Sequence, residues 1–251
     1  MARYALEVMY DGTKFHGSQI QGTTPTVQLA INTALSTLLR TNIDTFGASR
    51  TDEGVHALCN LYHFDLETPP NSDFVYKLNA VLPMSVAVNK LYLAVNPEFN
   101  CRFDAIRRRY RYKIYFRKNP FQQERALYHP YKFNRDLLNE TAEILKQYTQ
   151  FESFSKRNAQ NNTFNCTILQ SYWENHVDEL HYVVEGNRFL RGMVRGLVGT
   201  QLKLVSKQGT SADFRAIIEA QNCTLANFNV TGNGLYLEEI AYPDGLLVEI
   251  K

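Results

Sequence analysis

The sequence predicts an α+β fold in two halves, each a sheet backed by helices. Three observations point there. Arg3 to Tyr10 alternates apolar and other residues with a period of two. An apolar stripe of helical period follows it at once, and a second strand–helix series recurs in the other half around a hairpin-like pair of strands.

The elements follow in order. Tyr4, Leu6, Val8 and Tyr10 share one face of the first strand. After a polar, glycine-containing loop, Thr24 can cap a helix and Pro25 suits its first turn, with Val27, Ala30, Ile31, Ala34, Leu35 and Leu38 on one side. A strand through Leu58 to Leu66, a helix opened by Asn71 or Ser72 and stopped before Pro83, and a strand from Val86 to Val95 complete a β-α-β-α-β half. The second half reads as a strand at Arg107 to Arg117, a helix at Asn134 to Tyr148, and a hairpin of Cys166–Trp173 with Leu180–Glu185. A long helix carrying Leu190, Met193, Val194, Leu197, Val198 and Leu202 comes next, then another from Ser211, and Gly234 to Tyr242 forms a last strand. The expected domains are residues 1–105 and 106–251.

Composition is that of a soluble globular protein, and no window is apolar enough to span a bilayer. The start, Met1 to Glu7, lacks the apolar core of a secretory signal, so a cytoplasmic location is expected. Cysteines at 59, 101, 166 and 223 are widely scattered, which argues against structural disulfides and a zinc knuckle. Net charge is only +2, yet eight of the 27 basic residues lie between Cys101 and Lys118, with Asp104 the only acid there. The chain is locally cationic, which favours a polyanionic partner.

Three segments carry candidate chemistry. Gly47-Ala48-Ser49-Arg50-Thr51-Asp52-Glu53-Gly54-Val55-His56-Ala57 sets one carboxylate, Asp52, between an arginine and a glycine in a small-residue turn, the composition of a loop shaped around a ligand. An Asx turn with Arg50 as a solvated partner is the plainer alternative. In the strand Arg107–Arg117, Tyr110, Tyr112, Ile114 and Phe116 share one face, and Arg109, Arg111, Lys113, Tyr115 and Arg117 the other. That pairing suits a surface that holds phosphates and stacks on a base. Core burial is expected at least for Ile114 and Phe116, with Tyr110 the aromatic assigned to a site. In Asn187–Gly199, the spacing predicts one helix face for Arg188, Arg191 and Arg195, while Gly192, Gly196 and Gly199 form another row. Each interior glycine costs about 1 kcal/mol relative to alanine, so close packing against that helix is expected.

Other patterns fail. Gly12 to Gly17 has phosphate-loop spacing but continues into Ser18-Gln19. His56, Cys59 and His63 do not share one strand face, so no metal is expected there, and His16, His129, His176 and His181 read as isolated packing or surface groups.

Together the segments resemble the TruA family of tRNA pseudouridine synthases. The resemblance runs from Tyr10-Asp11-Gly12-Thr13, Gly17, Gln19-Ile20-Gln21 and Thr26-Val27-Gln28, through the Gly47–Ala57 loop and His63-Phe64-Asp65. It continues at Asn79, Leu82-Pro83, Cys101–Ala105, Arg109-Tyr110-Arg111-Tyr112, Phe151 with Ser153-Phe154, Met193-Val194-Arg195 with Gly199, and Gly234–Leu237. The chain departs from the family pattern at Ser18, usually tryptophan, and Ser49, usually glycine; both read as changes in loop packing or substrate fit. The resemblance implies a pseudouridine synthase fold of two α/β sandwich halves, with mixed, mostly antiparallel sheets joined across a central basic cleft. It further implies a homodimer, no cofactor and no metal, and as substrate uridines 38, 39 and 40 of the tRNA anticodon stem-loop. It assigns catalysis to Asp52, with Arg195 keeping the acid ionised and Tyr110 stacking on the target base. Arg50 would brace the gap left by the base, and Arg109, Arg111, Arg188 and Arg191 would hold RNA. Whether Asp52 attacks sugar or base, or abstracts a ribose proton, stays open at this point. A tRNA-binding or folding protein without chemistry, and a pseudouridine synthase acting on another RNA site, are the alternatives.

Overall fold

Alternation at the start of the chain yields the central strand of the first sheet. In the computed structural model, which describes residues 1–157 and 162–250, β1 (Ala2–Tyr10) lies between two antiparallel neighbours, β3 (His56–Leu66) and β4 (Val86–Ala94). Tyr4, Leu6, Val8 and Tyr10 are all buried, as the period of two requires. Helix α1 (Val27–Leu39) starts later than its sequence signals suggest: Thr26, not Thr24, is the cap, its Oγ1 accepting from Leu29 N at 3.3 Å, while Thr24 closes a local turn onto Gln21 O. The helix ends on Arg40 in a left-handed conformation, φ 55°. Strand β2 (Phe46–Gly47) pairs with β3, and α2 (Phe74–Val81) packs on α1 and β4.

The chain segregates into two compact units, residues 1–106 with 236–251, and residues 107–235. The closing segment therefore belongs with the first unit, although it follows the second in sequence. There β9 (Leu235–Ala241) pairs in parallel with β3 through His56–Tyr236 and Ala57–Leu237, and β10 (Leu247–Ile250) pairs antiparallel with β4. Strand β10 had no signal in the sequence, being short and preceded by Pro243-Asp244-Gly245. The first sheet thus runs β10-β4-β1-β3-β9, mixed but mostly antiparallel.

In the second unit β5 (Arg107–Tyr115) pairs antiparallel with β8 (Glu179–Gly186), which pairs antiparallel with β7 (Ile168–Asn175); the two-residue β6 (Leu127–Tyr128) runs parallel beside β5. Helices α3 (Arg135–Ile144), α4 (Met193–Ser206) and α5 (Ser211–Glu219) pack together, with α3 on β7. Gln201, fully buried, ties this layer: its Oε1 accepts from Trp173 Nε1 at 3.0 Å and Thr141 Oγ1 at 3.1 Å. Tyr110, Tyr112 and Ile114 are buried as β5 alternation requires, but Phe116 lies past the strand end and is half-buried, and Tyr115 takes the buried place.

Helix α4 departs from its expected start. Gly192 caps it at φ 74°, so Arg188 and Arg191 precede the helix and share no face of it with Arg195. Gly196 and Gly199 do lie in the helix and are in close contact with the 227–230 segment: a Cβ on Gly199 would sit 2.2 Å from the Asn227 carbonyl oxygen, and one on Gly196 would meet the Phe228 ring at 2.7 Å. Gly199→Ala should lower stability by about 2 kcal/mol although alanine is the better helix former, because its obstacle is backbone. Gly196→Ala, opposed by a side chain that can turn, should cost less. Urea midpoints of the two variants check the order.

Candidate active site

The turn that carries Asp52 is held from beneath by groups the first sheet buries. Asn60, fully buried on β3, accepts from Ser49 N at 3.2 Å and donates through Nδ2 to Ser49 O at 3.1 Å, closing a two-way clasp on one residue of the turn. The same amide reaches Tyr10 Oη at 3.2 Å, and that hydroxyl meets Thr51 Oγ1 at 2.8 Å. From the other side Ser18 grips Thr51 twice: Ser18 Oγ accepts from Thr51 N at 2.8 Å, and Ser18 N donates to Thr51 O at 3.0 Å. Val55 N closes the turn onto Asp52 O at 3.2 Å. Asp52 itself is half-buried and Arg50 exposed, so the two candidate side chains are presented on a backbone held by these bonds.

A second layer steadies the turn's far end. Gly12 N donates to His56 Nδ1 at 3.2 Å, Asp11 Oδ1 lies 3.3 Å from the same nitrogen, and the imidazole stacks on Tyr236 at 4.6 Å between centroids. A Cβ on Gly12 would fall 2.0 Å from Val55 O, so no other residue lets β1's exit run this close to the turn.

Beside the turn lies a histidine with a depressed pKa. His63 is buried against Phe99 and Phe46, and its Nδ1 accepts from Cys101 N at 3.4 Å. Burial, reinforced by the Arg3 charge, brings its pKa down to about 4. Cys101 Sγ in turn donates to Phe46 O at 2.9 Å. The four cysteines form no disulfide with one another, and among the described residues His56, Cys59 and His63 form no ligand set.

The second unit places the remaining candidates. Tyr110 is 8% exposed and edge-on to Phe189, centroids 5.2 Å apart. Arg195, in the first turn of α4, donates from Nε to Val230 O at 2.9 Å and from Nη2 to Phe228 O at 3.5 Å, which fixes its direction. Arg109 donates to Tyr172 Oη at 3.2 Å, and Arg111 is ion-paired with Glu174, so both are engaged within this sheet. Arg191 is exposed and Arg188 half-buried on the approach to α4. His176 and His181, read from sequence as isolated, come together on the β7–β8 hairpin with ring centroids 4.2 Å apart, within 4.8 Å of Glu174 by their ligand atoms. The Arg111 guanidinium occupies that carboxylate and approaches His181 Nδ1 to 3.4 Å. Asn60 had no sequence signal beyond being a polar residue on a buried strand position; Tyr10 stood in the recognised pattern and Ser18 as a departure from it, neither with a mechanical role.

The chain is similar over nearly its whole length to proteins named tRNA pseudouridine synthase A. It is 39% identical over 249 residues to the one from Parabacteroides distasonis, covering 98% of each chain, and 40% identical over 247 residues to that of Bacteroides fragilis, covering 96% of each. A Staphylococcus aureus protein of the same name is 32% identical over 250 residues, 98% of this chain and 93% of that one. A family model described as tRNA pseudouridine synthase matches residues 148–243.

Two outcomes follow from the clasp and the histidine. Asn60→Ala strands Ser49 N and leaves Ser49 O only the 3.4 Å bond from Ser18 Oγ, and should cost about 2 kcal/mol, with faster amide exchange at Ser49 and Thr51. His63 stays neutral in the fold down to about pH 4, whereas in the unfolded chain it protonates near 6.5. Its contribution is therefore whole above pH 6.5 and is lost as pH falls toward 4. His181, also lowered by burial, acts with the same sign. Urea midpoints measured across that window should fall, and should fall less in His63→Gln.

Proposed function

The chain belongs to the TruA family of tRNA pseudouridine synthases, and we propose that it isomerises uridine to pseudouridine at positions 38, 39 and 40 of the tRNA anticodon stem-loop. One observation carries this reading to the residue level: Asp52 stands on a turn whose backbone is clasped by buried Asn60, Tyr10 and Ser18. A single carboxylate held that firmly suits a reaction in which one acid does the covalent or proton-transfer work.

The isomerisation breaks the bond from ribose C1′ to base N1, turns the base and forms the bond from C1′ to C5. The C5 proton leaves and N1 regains one, so atoms and electrons balance with no oxidant or reductant. Asp52 attacks sugar or base, or takes a ribose proton; each needs it ionised. The resemblance assigns Arg195, held by the carbonyls of Val230 and Phe228, as the cation that acts with Asp52. Tyr110, packed edge-on to Phe189, offers a rigid ring to the target base and a hydroxyl for the last proton transfer. A base paired in a stem must first leave it, at a cost of a few kcal/mol, and exposed Arg50 braces the opened stack. Arg188 and Arg191 hold phosphates; the internal partners of Arg109 and Arg111 favour a structural part for these two. The resemblance supports a homodimer in solution.

Asp52→Asn should reduce pseudouridine formation on an unmodified tRNA transcript by about a thousandfold or more while binding stays within about threefold of the unsubstituted protein. Pseudouridine mapping at matched RNA occupancy checks it. Undiminished modification would overturn the assignment of Asp52, and modification outside the anticodon stem-loop would overturn the substrate.

A further inference from the structure

An open cavity of about 350 Å³ lies within the first unit beside the Asp52 turn. Its volume falls in the range of small-ligand sites, about 300–1,000 Å³, and leaves room for one nucleotide. Ser49 and Arg50 line it from the turn, Phe46 and Tyr62 from β2 and β3, and Arg102 and Phe103 from the loop after β4.

We propose that this cavity binds a nucleotide of the RNA substrate next to the uridine that is isomerised, stacking its base on Phe46 or Phe103 and neutralising its phosphate with Arg50 or Arg102. The inference rests on the function proposed above and adds a second point of recognition to it.

Exposure is the first argument. Phe46 is 60% and Phe103 76% exposed, although both are large aromatic rings. Phe46 is nevertheless held: one face stacks on the neutral His63 at 5.3 Å and 21°, and its carbonyl accepts from Cys101 Sγ, which leaves the other face to solvent. Phe103 is positioned by a tight turn in which its N–H bonds Asn100 O at 3.1 Å, with Arg102 lying over its ring at 5.6 Å. Ordered, solvent-facing rings beside arginines form the surface that single-stranded nucleotides occupy, since every base has a face to stack and every nucleotide a charge.

The second argument is polar. Ser49 Oγ and Tyr62 Oη are enclosed in the wall, with the hydroxyls of Ser18 and Tyr10 close to Tyr62. Gln19 and Asn100 also line the cavity, and their amides offer the donors and acceptors that a base edge needs.

The test crosslinks the protein to unmodified tRNA transcript with short-wave ultraviolet light and identifies the joined peptides and nucleotides by mass spectrometry, alongside kinetics of Phe103→Ala and Phe103→Tyr. A crosslink on Phe46 or Phe103 to a nucleotide within one or two positions of the new pseudouridine supports the proposal. So does a rise of about tenfold in KM for Phe103→Ala that falls on KM rather than kcat and is restored by Phe103→Tyr. Pseudouridine formed without any crosslink at either ring, together with unchanged KM in Phe103→Ala, overturns it. Crosslinks at these rings without pseudouridine would keep the cavity as an RNA site and overturn the enzymatic reading instead. Because Phe103 is exposed, its loss leaves the core intact.

Discussion

Everything proposed for the first unit depends on one buried amide. Asn60 is fully enclosed in β3, where an apolar side chain would pack at least as well, and it is the group that joins sheet to turn. A primary amide can accept and donate at once, so it satisfies both backbone groups of Ser49 and still reaches Tyr10. Enclosure makes this stringent: with no water to substitute, the turn that keeps all three contacts is strongly preferred over any that breaks one. The position of Asp52 is thus set by strand register. Because β1 pairs with β3, Tyr10 and Asn60 are brought to the same end of the sheet, and the site inherits the precision of a hydrogen-bonded ladder.

Much of this was legible from the residues. Period-two and period-3.6 patterns located β1, α1, β4 and β5, in which buried and more open positions alternate, while β3 and β8, buried along most of their length, were found as apolar and aromatic runs. Boundaries were less legible. The residues pointed to Thr24 as the cap of α1 with Pro25 in its first turn, whereas the helix begins at Val27 and Thr26 caps it. The start of α4 was misread for a related reason: Arg188, Arg191 and Arg195 have helical spacing, but Gly192 takes a positive φ that no spacing argument anticipates. At the site, Asp52 and Arg50 announced themselves through turn composition. Asn60 and Tyr62 did not, since their meaning arises from what lies across the sheet.

The cationic strand teaches a complementary lesson. A run of arginines in sequence looks like an anion surface, yet pairing of β5 with β8 and of β8 with β7 sets Arg107 against Glu185 and Arg111 against Glu174. Glu185 is buried and needs that partner. Local charge density is therefore a poor count of phosphate contacts, and the arginines outside the sheet, Arg50, Arg102 and Arg191, are better placed to meet RNA.

The first unit is assembled from both ends of the chain, with β9 and β10 closing a sheet begun by β1. On a ribosome this separates birth from completion: the loop bearing the acid emerges early, while the strand beside His56 emerges after residue 234. The intervening unit has its own uninterrupted sequence and is free to fold first. A nascent chain paused before β9 would hold a β3 end without its parallel neighbour and His56 without the Tyr236 ring, so the support of the turn's far end would be completed only when β9 is made.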